Sequence, residues 1–366
     1  MSPRTAMAVV FCAMLLCSGC GNRGCDEAAD TTGSAGILTD AAGRNVRIPQ
    51  KVSRVVSPFT MYTRLVVAVG GCDKLVGISH TCLLPEELYG CGGRLGELPD
   101  VGPFGANTEL IVSLAPDLIF CSQPDVASFA ARTSAAAVAV SFPEDVPMVE
   151  MFERQIELVG TALRLESQAD SLKEFIRTAL HPVTSVTGEL PAGARPRVYF
   201  AWTSWTGDIL NTVCEFDPIE LAGGTNVAGD AKNFAKGERG ILVSREQLID
   251  WNPEIIFVSR YQPQHWHDGG PTSPLPVTID DVLANPLLQS VDAVKHKRVY
   301  YTTAFCNWWP HQRALVQVLY MAKLFHPDRF EHLDVEKRGN KIFKRFYGAD
   351  SLYTAMAEDL ELERWK

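Results

Sequence analysis

Two short stretches, far apart in the chain, share one pattern of residue types. They are TELIVSLAPDLIF (Thr108–Phe120) and REQLIDWNPEIIF (Arg245–Phe257). Aligned, they place Glu109 with Glu246 and Pro116 with Pro253. Each proline precedes an acidic residue and an apolar run, which is typical of a helix that turns into a buried strand. Chance resemblance is one explanation, because this sequence of elements is common in α/β proteins. The shared glutamate favours two related lobes.

The regions around both stretches alternate between predicted strands and helices. A hairpin within Gly36–Ser57 comes first. Short apolar runs then predict strands at Arg54–Val56, Lys74–Ile78, Ala137–Ser141, Arg197–Phe200, Glu254–Val258 and Arg298–Thr302. Strands that alternate with helices at this spacing indicate βαβ units and mostly parallel sheets.

Residues 146–181, between the two alternating regions, have apolar side chains at helical spacing. They predict one helix, ended by Pro182, of about 50 Å at 1.5 Å per residue. The expected fold class is α/β, with two lobes, each a mostly parallel central sheet flanked by helices, joined by one long bridging helix. The predicted lobes span residues 37–145 and 196–330. Residues 331–366 predict one or two amphipathic helices, which we expect to pack on the second lobe.

The N-terminal residues have the build of a secretory signal. A positive charge precedes the apolar run Ala6–Cys17, which is too short to span a bilayer comfortably. Small residues then lead to Cys20 in a pattern similar to a bacterial lipobox, so residues 1–19 are predicted to be a lipoprotein-type signal and Cys20 the lipidated N-terminus. Residues 20–36 are typical of a flexible tether. An ordinary cleaved signal is the alternative, because Leu16 is displaced by one place.

Composition argues against several classes of function. Apolar residues make up 46% of the chain and the formal net charge is −9, which favours a packed protein and argues against nucleic acid as a partner. Sequence motifs of a nucleophile elbow, a zinc protease and a P-loop are absent. The sequence therefore favours a protein that is not an enzyme, and it predicts neither a metal site nor a cofactor.

The cysteines after the predicted tether (residues 20–36) fall into two groups. Cys82 and Cys91 lie in one glycine-containing loop and are the candidates for a disulfide in an oxidising compartment. The others lie beside apolar runs and are expected to be small buried residues: Cys72, Cys121, Cys214 and Cys306.

Aromatic residues crowd the segments that follow the predicted strands. Ligands of open parallel sheets bind beyond the carboxyl ends of the strands, so these residues favour a cleft for a large, flat or apolar-edged ligand. The predicted ligand-binding residues are Phe59, Tyr62, His80, Phe104, Trp202, Trp205, Arg260, Tyr261, Trp308 and Trp309.

The order of motifs resembles the substrate-binding proteins of ABC importers for iron complexes (siderophores and haem) and cobalamin. The resemblance rests on RVVS, LVGIS, NTELIVSLAPDLI, the predicted bridging helix, SREQLIDWNPEIIFV and NPLLQSVDAVKHKRVYY, and it covers Leu38 to Phe330. It implies two lobes joined by one rigid helix, a ligand between the lobes, no catalysis and a monomer. It also implies that Glu109 and Glu246 dock into arginine pockets of a dimeric permease. Either glutamate alone would be read as an ordinary first-turn helix stabiliser, but the pair favours docking.

The resemblance implies an extracytoplasmic protein, in the periplasm or at the cell surface, that Cys20 anchors to the membrane. The binding segments have few cations, so haem, a corrinoid or a weakly charged ferric chelate is expected rather than a strongly anionic chelate. Two alternatives stay open. One is a binding protein of the same fold for an oxyanion such as molybdate, against which the aromatic residues argue. The other is a metal-dependent enzyme that uses His265, His267 and Cys306.

Overall fold

The computed structural model describes residues 36–81, 83–103, 107–141, 146–203, 207–229, 231, 240–259, 277–303 and 310–365. An antiparallel hairpin comes first, with strands β1 (Gly36–Thr39) and β2 (Asn45–Ile48). Its turn is held by Asp40, whose carboxylate accepts hydrogen bonds from the backbone N–H groups of Ala42 and Arg44, each at 3.0 Å. Chain direction therefore reverses directly before the first parallel sheet.

The first half of the fold (residues 36–141) contains a parallel sheet of four strands in the order β4-β3-β5-β6. These strands are β3 (Val55–Ser57), β4 (Leu75–Ile78), β5 (Leu118–Cys121) and β6 (Ala136–Ala139). The α-helices between them are α1 (Thr60–Ala68), α2 (Thr108–Ser113) and α3 (Val126–Arg132). Short 3₁₀ turns fill Pro85–Glu97. All four strands are almost wholly buried, which explains their continuous apolar runs.

The prediction of one long bridging helix over residues 146–181 is wrong. The segment forms two helices, α4 (Met148–Leu163) and α5 (Glu166–Thr187), because Arg164 takes a left-handed backbone conformation, with φ of 59°. The chain then doubles back, and Gly160 lets the two helices approach: a Cβ there would lie 2.4 Å from Cβ of Ala169. Pro182 lies inside α5 and does not end it.

Ion pairs across the two helices establish the antiparallel arrangement of this helical hairpin. Arg177 on α5 donates to both carboxylate oxygens of Glu153 on α4, at 2.7 and 2.8 Å. Helix α4 packs on α1 of the first half, and α5 packs on helices of the second half. The hairpin therefore bridges the halves, as the single helix was expected to do.

The second half (residues 197–325) contains a mixed sheet in the order β10-β8-β7-β11-β12, with β9 also paired to β7. Its strands are β7 (Arg197–Ala201), β8 (Asn211–Thr212), β9 (Thr225–Asn226), β10 (Ile241–Leu242), β11 (Ile255–Ser259) and β12 (Val299–Thr302). Its helices are α6 (Asp217–Leu221), α7 (Arg245–Trp251), α8 (Ile279–Ala284), α9 (Asp292–Lys295) and α10 (His311–Phe325). Strands β7, β9, β11 and β12 run parallel, and β8 and β10 run antiparallel to their neighbours.

The C-terminal segment forms α11 (Val335–Tyr347) and α12 (Leu352–Asp359). Helix α11 packs on α10, but it also packs on α1 and on Pro85–Glu97 of the first half. The guanidinium of Arg345 donates to the carbonyl of Ala68 at 3.1 Å, and the hydroxyl of Tyr347 donates to Glu87 at 3.0 Å. The expectation that this segment packs on the second lobe is thus incomplete, because it contacts both halves.

One apolar core runs through both halves and includes side chains of the helical hairpin and of α10, α11 and α12. A smaller cluster lies on the other face of the first sheet, around Val56, Ile111 and Ile119. Among the described residues, no helix is both long enough and apolar enough to cross a bilayer.

Candidate functional site

Hydroxyl groups and one imidazole lie at the carboxyl ends of the first sheet. Ser57 ends β3, and His80 is the second residue after the end of β4. The backbone N–H of His80 donates to Asp100 at 3.1 Å, while its ring Nε2 is buried and has no hydrogen-bond partner in the described part of the chain. The hydrogen bond to Asp100 therefore holds the backbone at His80, and the hydrogen-bonding capacity of ring Nε2 is not filled by the described residues.

Phe59 and Tyr62 form the aromatic part of the same edge. Their rings meet edge to face with centroids 5.3 Å apart. The Tyr62 hydroxyl lies 2.6 Å from Oγ of Ser141, just beyond β6, and Tyr62 is 1% exposed. The structure therefore brings these two predicted residues together, with Tyr62 in the wall of the site and Phe59 nearer the surface.

The second sheet presents Trp202, Thr203, Ser259 and Thr303 at the carboxyl ends of β7, β11 and β12. The Thr203 hydroxyl donates to the carbonyl of Ser259 at 2.5 Å. Trp202 is 6% exposed and packs against Gly240, where a Cβ would lie 2.7 Å from the indole ring. Trp202 is thus buried at the carboxyl end of β7 and contacts Gly240.

The remaining predicted ligand-binding residues lie outside the described residues: Phe104, Trp205, Arg260, Tyr261, Trp308 and Trp309. The same holds for Cys20 and for the three residues of the metal-enzyme alternative, His265, His267 and Cys306. Within the described ranges, no group of three or more His, Cys, Asp or Glu side chains is arranged to hold a metal ion.

The first turn of α10 contributes three buried polar side chains, none of them among the predicted ligand-binding residues. His311, Gln312 and Arg313 are 1%, 0% and 4% exposed. His311 Nε2 lies 2.9 Å from Oε1 of Gln155 on α4. Burial, with a smaller effect of nearby Arg64, lowers the pKa of His311 to about 3, so the ring is neutral. The only sequence signal was the polar run PHQR after a predicted strand.

Two buried arginines near this turn are each matched by a glutamate. Arg313 donates from Nε and Nη2 to the carboxylate of Glu86, at 2.7 and 2.9 Å. Arg64 pairs in the same bidentate way with Glu87, which also accepts from Tyr347. Because these charges are compensated within the protein, the described edge of the site is close to neutral.

Both predicted docking glutamates are exposed in the first turn of a helix, on α2 and α7. The N-cap of each helix is satisfied by a side chain: Asn107 accepts from Leu110 N–H at 3.0 Å, and Ser244 accepts from Gln247 N–H at 3.1 Å. Backbone and Ser244 hydrogen bonds lower the pKa of Glu246. The repeated sequence pattern is therefore a repeated structure: a capped helix with a first-turn carboxylate on each half.

The two copies of the pattern also end alike. Ala115 and Asn252, directly before the paired prolines, both have positive φ, 42° and 40°. Each copy then enters an almost wholly buried central strand, β5 or β11. The shared left-handed residue marks the sharp turn that reverses the chain from helix to strand.

The predicted disulfide between Cys82 and Cys91 is wrong, because Cys91 is bonded to Cys72. Gly92 and Gly93 follow Cys91 in the left-handed region, with φ of 66° and 89°. This turn brings Cys91 back to the 3₁₀ turn that contains Cys72, where the Cα atoms lie 5.4 Å apart. Cys121 is a free, buried thiol, and Cys214 is half-buried.

Comparison with known proteins places this arrangement in one family. The periplasmic binding protein family matches residues 55–304. The molybdate-binding protein MolA of Haemophilus influenzae is 23% identical over 351 residues, covering 85% of this chain and 90% of MolA. The uncharacterised ABC transporter substrate-binding lipoprotein YvrC of Bacillus subtilis is 23% identical over 337 residues, covering 88% and 97%.

Solved structures share the fold. MolA bound to molybdate superposes with a TM-score of 0.66 at 22% identity, covering 86% of this chain and 98% of MolA. The periplasmic haem-binding protein HutB of Vibrio cholerae superposes with a TM-score of 0.56 at 19% identity, covering 75% and 99%. The chain, with its two α/β halves, belongs to the periplasmic binding protein family, the substrate-binding proteins of ABC importers.

Proposed function

We propose that this protein captures an iron chelate, haem or a corrinoid between its two halves and delivers it to an ABC permease. The observation that carries the ligand class is the near-neutral edge of the site, where the polar groups are buried hydroxyl, amide and imidazole groups and Arg64 and Arg313 are already paired with glutamates. Phe59, Tyr62 and the aromatic residues in the neighbouring sequence suit a ligand with broad apolar faces.

A panel of ligands tests this proposal. Mature protein is incubated with cobalamin, haemin or a neutral ferric chelate, and native mass spectrometry and the absorbance spectrum report a complex. A ligand at about 100 times its Kd stabilises the fold by about 2.7 kcal/mol, so the unfolding midpoint should rise by several degrees. Failure of all three ligands to bind would contradict the proposed ligand class.

Molybdate is the second candidate, and the similarity to MolA favours it. The hydroxyl of Ser259, which has no hydrogen-bond partner among the described residues, can donate to an oxyanion without a cation beside it. A rise of the midpoint with molybdate or tungstate, and not with the three larger ligands, would select this function.

Docking by Glu109 and Glu246 is tested separately from ligand binding. We expect Glu109→Ala with Glu246→Ala to leave ligand affinity unchanged and to abolish transport, because both side chains are exposed and lie on different halves. Glu157→Ala with Glu174→Ala is the matched control, since those carboxylates are 70% and 73% exposed on the helical hairpin. Equal transport by the two double variants would remove the assigned role.

Membrane attachment through Cys20 is part of the same proposal. The relative YvrC is named a lipoprotein, and the residues before Cys20 are similar to a lipobox. Cys20→Ser should release the protein into the soluble extracytoplasmic fraction. If the variant stays membrane-bound, lipidation at this residue is wrong.

A further inference from the structure

We propose that Gln312 is a ligand-binding residue, and that the ligand group it meets both donates and accepts hydrogen bonds, as a carboxamide or hydroxyl does. This inference rests on the proposed function, because it assigns the chemistry of the same site. It names a residue and a ligand group, and both can be tested separately from the transport role.

Gln312 lies where the second sheet faces the first half of the fold. Helix α10 begins at the carboxyl edge of the second sheet, after β12. On one side of Gln312, Arg313 reaches Glu86 of the first half, and on the other side His311 reaches Gln155 of the bridging hairpin. The first turn of α10 therefore stands between the two halves.

The Gln312 side chain is fully buried, and neither Oε1 nor Nε2 has a hydrogen-bond partner among the described residues. Two other buried glutamines each have a partner for Oε1, although Gln317 Nε2, like both amide atoms of Gln312, has none among the described residues. Gln155 Oε1 meets His311, and Gln317 Oε1 accepts from the backbone N–H and hydroxyl of Thr303, at 2.6 and 2.5 Å. A buried amide with both ends unsatisfied destabilises the unliganded fold, and such groups are rare in native proteins unless they serve a function.

The general geometry of helix side chains supports this role. Side chains on a helix lean toward its N-terminus, so the amide of a first-turn residue is expected to extend toward the N-terminal end of α10. The first-turn backbone N–H groups also face that end, since they have no acceptor within the helix. Gln312 thus adds a donor and an acceptor to a helix end that is rich in donors.

The neighbouring groups decide the chemistry of the partner. His311 Nε2 donates to Gln155, so its Nδ1 is an acceptor, and it too has no partner within the described segments. The hydroxyl of Ser259, at the end of β11, is buried and likewise unsatisfied within those segments. An oxyanion or carboxylate offers only acceptors, so it would face the lone pair of His311 Nδ1 without a hydrogen to share. A carboxamide or hydroxyl both donates and accepts, so it can form hydrogen bonds with the Gln312 amide, His311 Nδ1 and the Ser259 hydroxyl.

The test compares Gln312→Met with Gln155→Met, two substitutions of similar shape. Cobalamin, whose corrin ring carries carboxamides, is the main probe, and haemin and molybdate are the acceptor-only probes. Gln312→Met should leave the unfolding midpoint of the unliganded protein unchanged or raise it by about 2 °C, and should weaken cobalamin binding about tenfold or more. Gln155→Met should lower the midpoint, because it strips His311 of its acceptor.

Each other outcome overturns part of the inference. A midpoint that falls in Gln312→Met as it does in Gln155→Met would show that the amide has a structural partner. Cobalamin affinity within twofold of wild type would remove Gln312 from the site. Gln312-dependent binding of molybdate or haemin would overturn the ligand chemistry. If no probe binds the wild-type protein, the proposed ligand class fails, and an unchanged or raised midpoint alone still supports Gln312 as an unsatisfied group.

Discussion

The buried ion pair between Arg313 and Glu86 joins the two halves, and its removal should be strongly destabilising. Arg313 on α10 donates two hydrogen bonds to Glu86, at 2.7 and 2.9 Å, and each side chain is 5% exposed. Arg313→Met keeps most of the volume and removes the charge, so the Glu86 carboxylate is left buried without its partner. Breaking a buried pair from one side costs about 3–5 kcal/mol.

Urea unfolding followed by circular dichroism measures this cost. Arg154→Met is the matched control, because its pair with Glu150 on α4 is 49% exposed on both sides and should be worth under about 1 kcal/mol. The double variant Arg313→Met with Glu86→Leu should recover much of the loss, since no charge then remains unpaired.

The result that would refute this reasoning is a small effect. If Arg313→Met costs no more than Arg154→Met, the pair is not buried in solution. If the double variant loses as much free energy of unfolding as the two single variants together, the cost of Arg313→Met does not come from leaving the Glu86 carboxylate unpaired.

Three further predictions concern pH, the disulfide and the helical hairpin. His311 has a pKa of about 3 in the fold against 6.5 ordinarily, so below pH 6.5 the unfolded chain takes up a proton that the fold does not. Stability should therefore fall by about 2 kcal/mol between pH 7.5 and pH 5 through this residue, and urea unfolding of His311→Gln should show a pH dependence flatter by that amount; identical slopes would contradict it. Reduction of Cys72–Cys91, which closes a loop with a sequence separation of 19, should lower the free energy of unfolding by about 3 kcal/mol, whereas no change with reductant would argue against the bond. Gly160→Ala should cost about 1–3 kcal/mol by overpacking against Ala169, despite alanine's better helix propensity, and a stabilised variant would mean that the helices can move apart.

The fold class could be predicted from the sequence because its signals are local. Buried parallel strands give continuous apolar runs, and the residue pattern around Glu109 and Glu246 gives a helix, a turn and a strand in each half. The break at Arg164 was missed, because a non-glycine residue in the left-handed region leaves no mark on apolar spacing. The apolar spacing of the helical hairpin consequently predicts one continuous helix.

The site could be predicted less well, because its important features depend on burial and distant contacts. Phe59 and Tyr62 follow the end of β3 and their rings contact each other, whereas their role in ligand binding stays a prediction. The prediction that Cys91 pairs with Cys82 was wrong. Cys82 is nearer in sequence, and only the turn at Gly92 and Gly93 brings Cys91 close to Cys72. Gln312 gave no signal, since a glutamine at a helix start is ordinary until both its amide atoms prove to be buried and unpaired.

The contact of α11 with both halves has a consequence for how a ligand enters and leaves. Separating the halves must break either the packing of α11 on α10 or the hydrogen bond from Tyr347 to Glu87, and a bond to a charged group is worth about 1.5–3 kcal/mol. That energy is several times RT, so an opened form with this bond broken is a minor species at equilibrium. The two halves are thus held in one arrangement before a ligand binds, and binding to that arrangement costs the protein little conformational entropy.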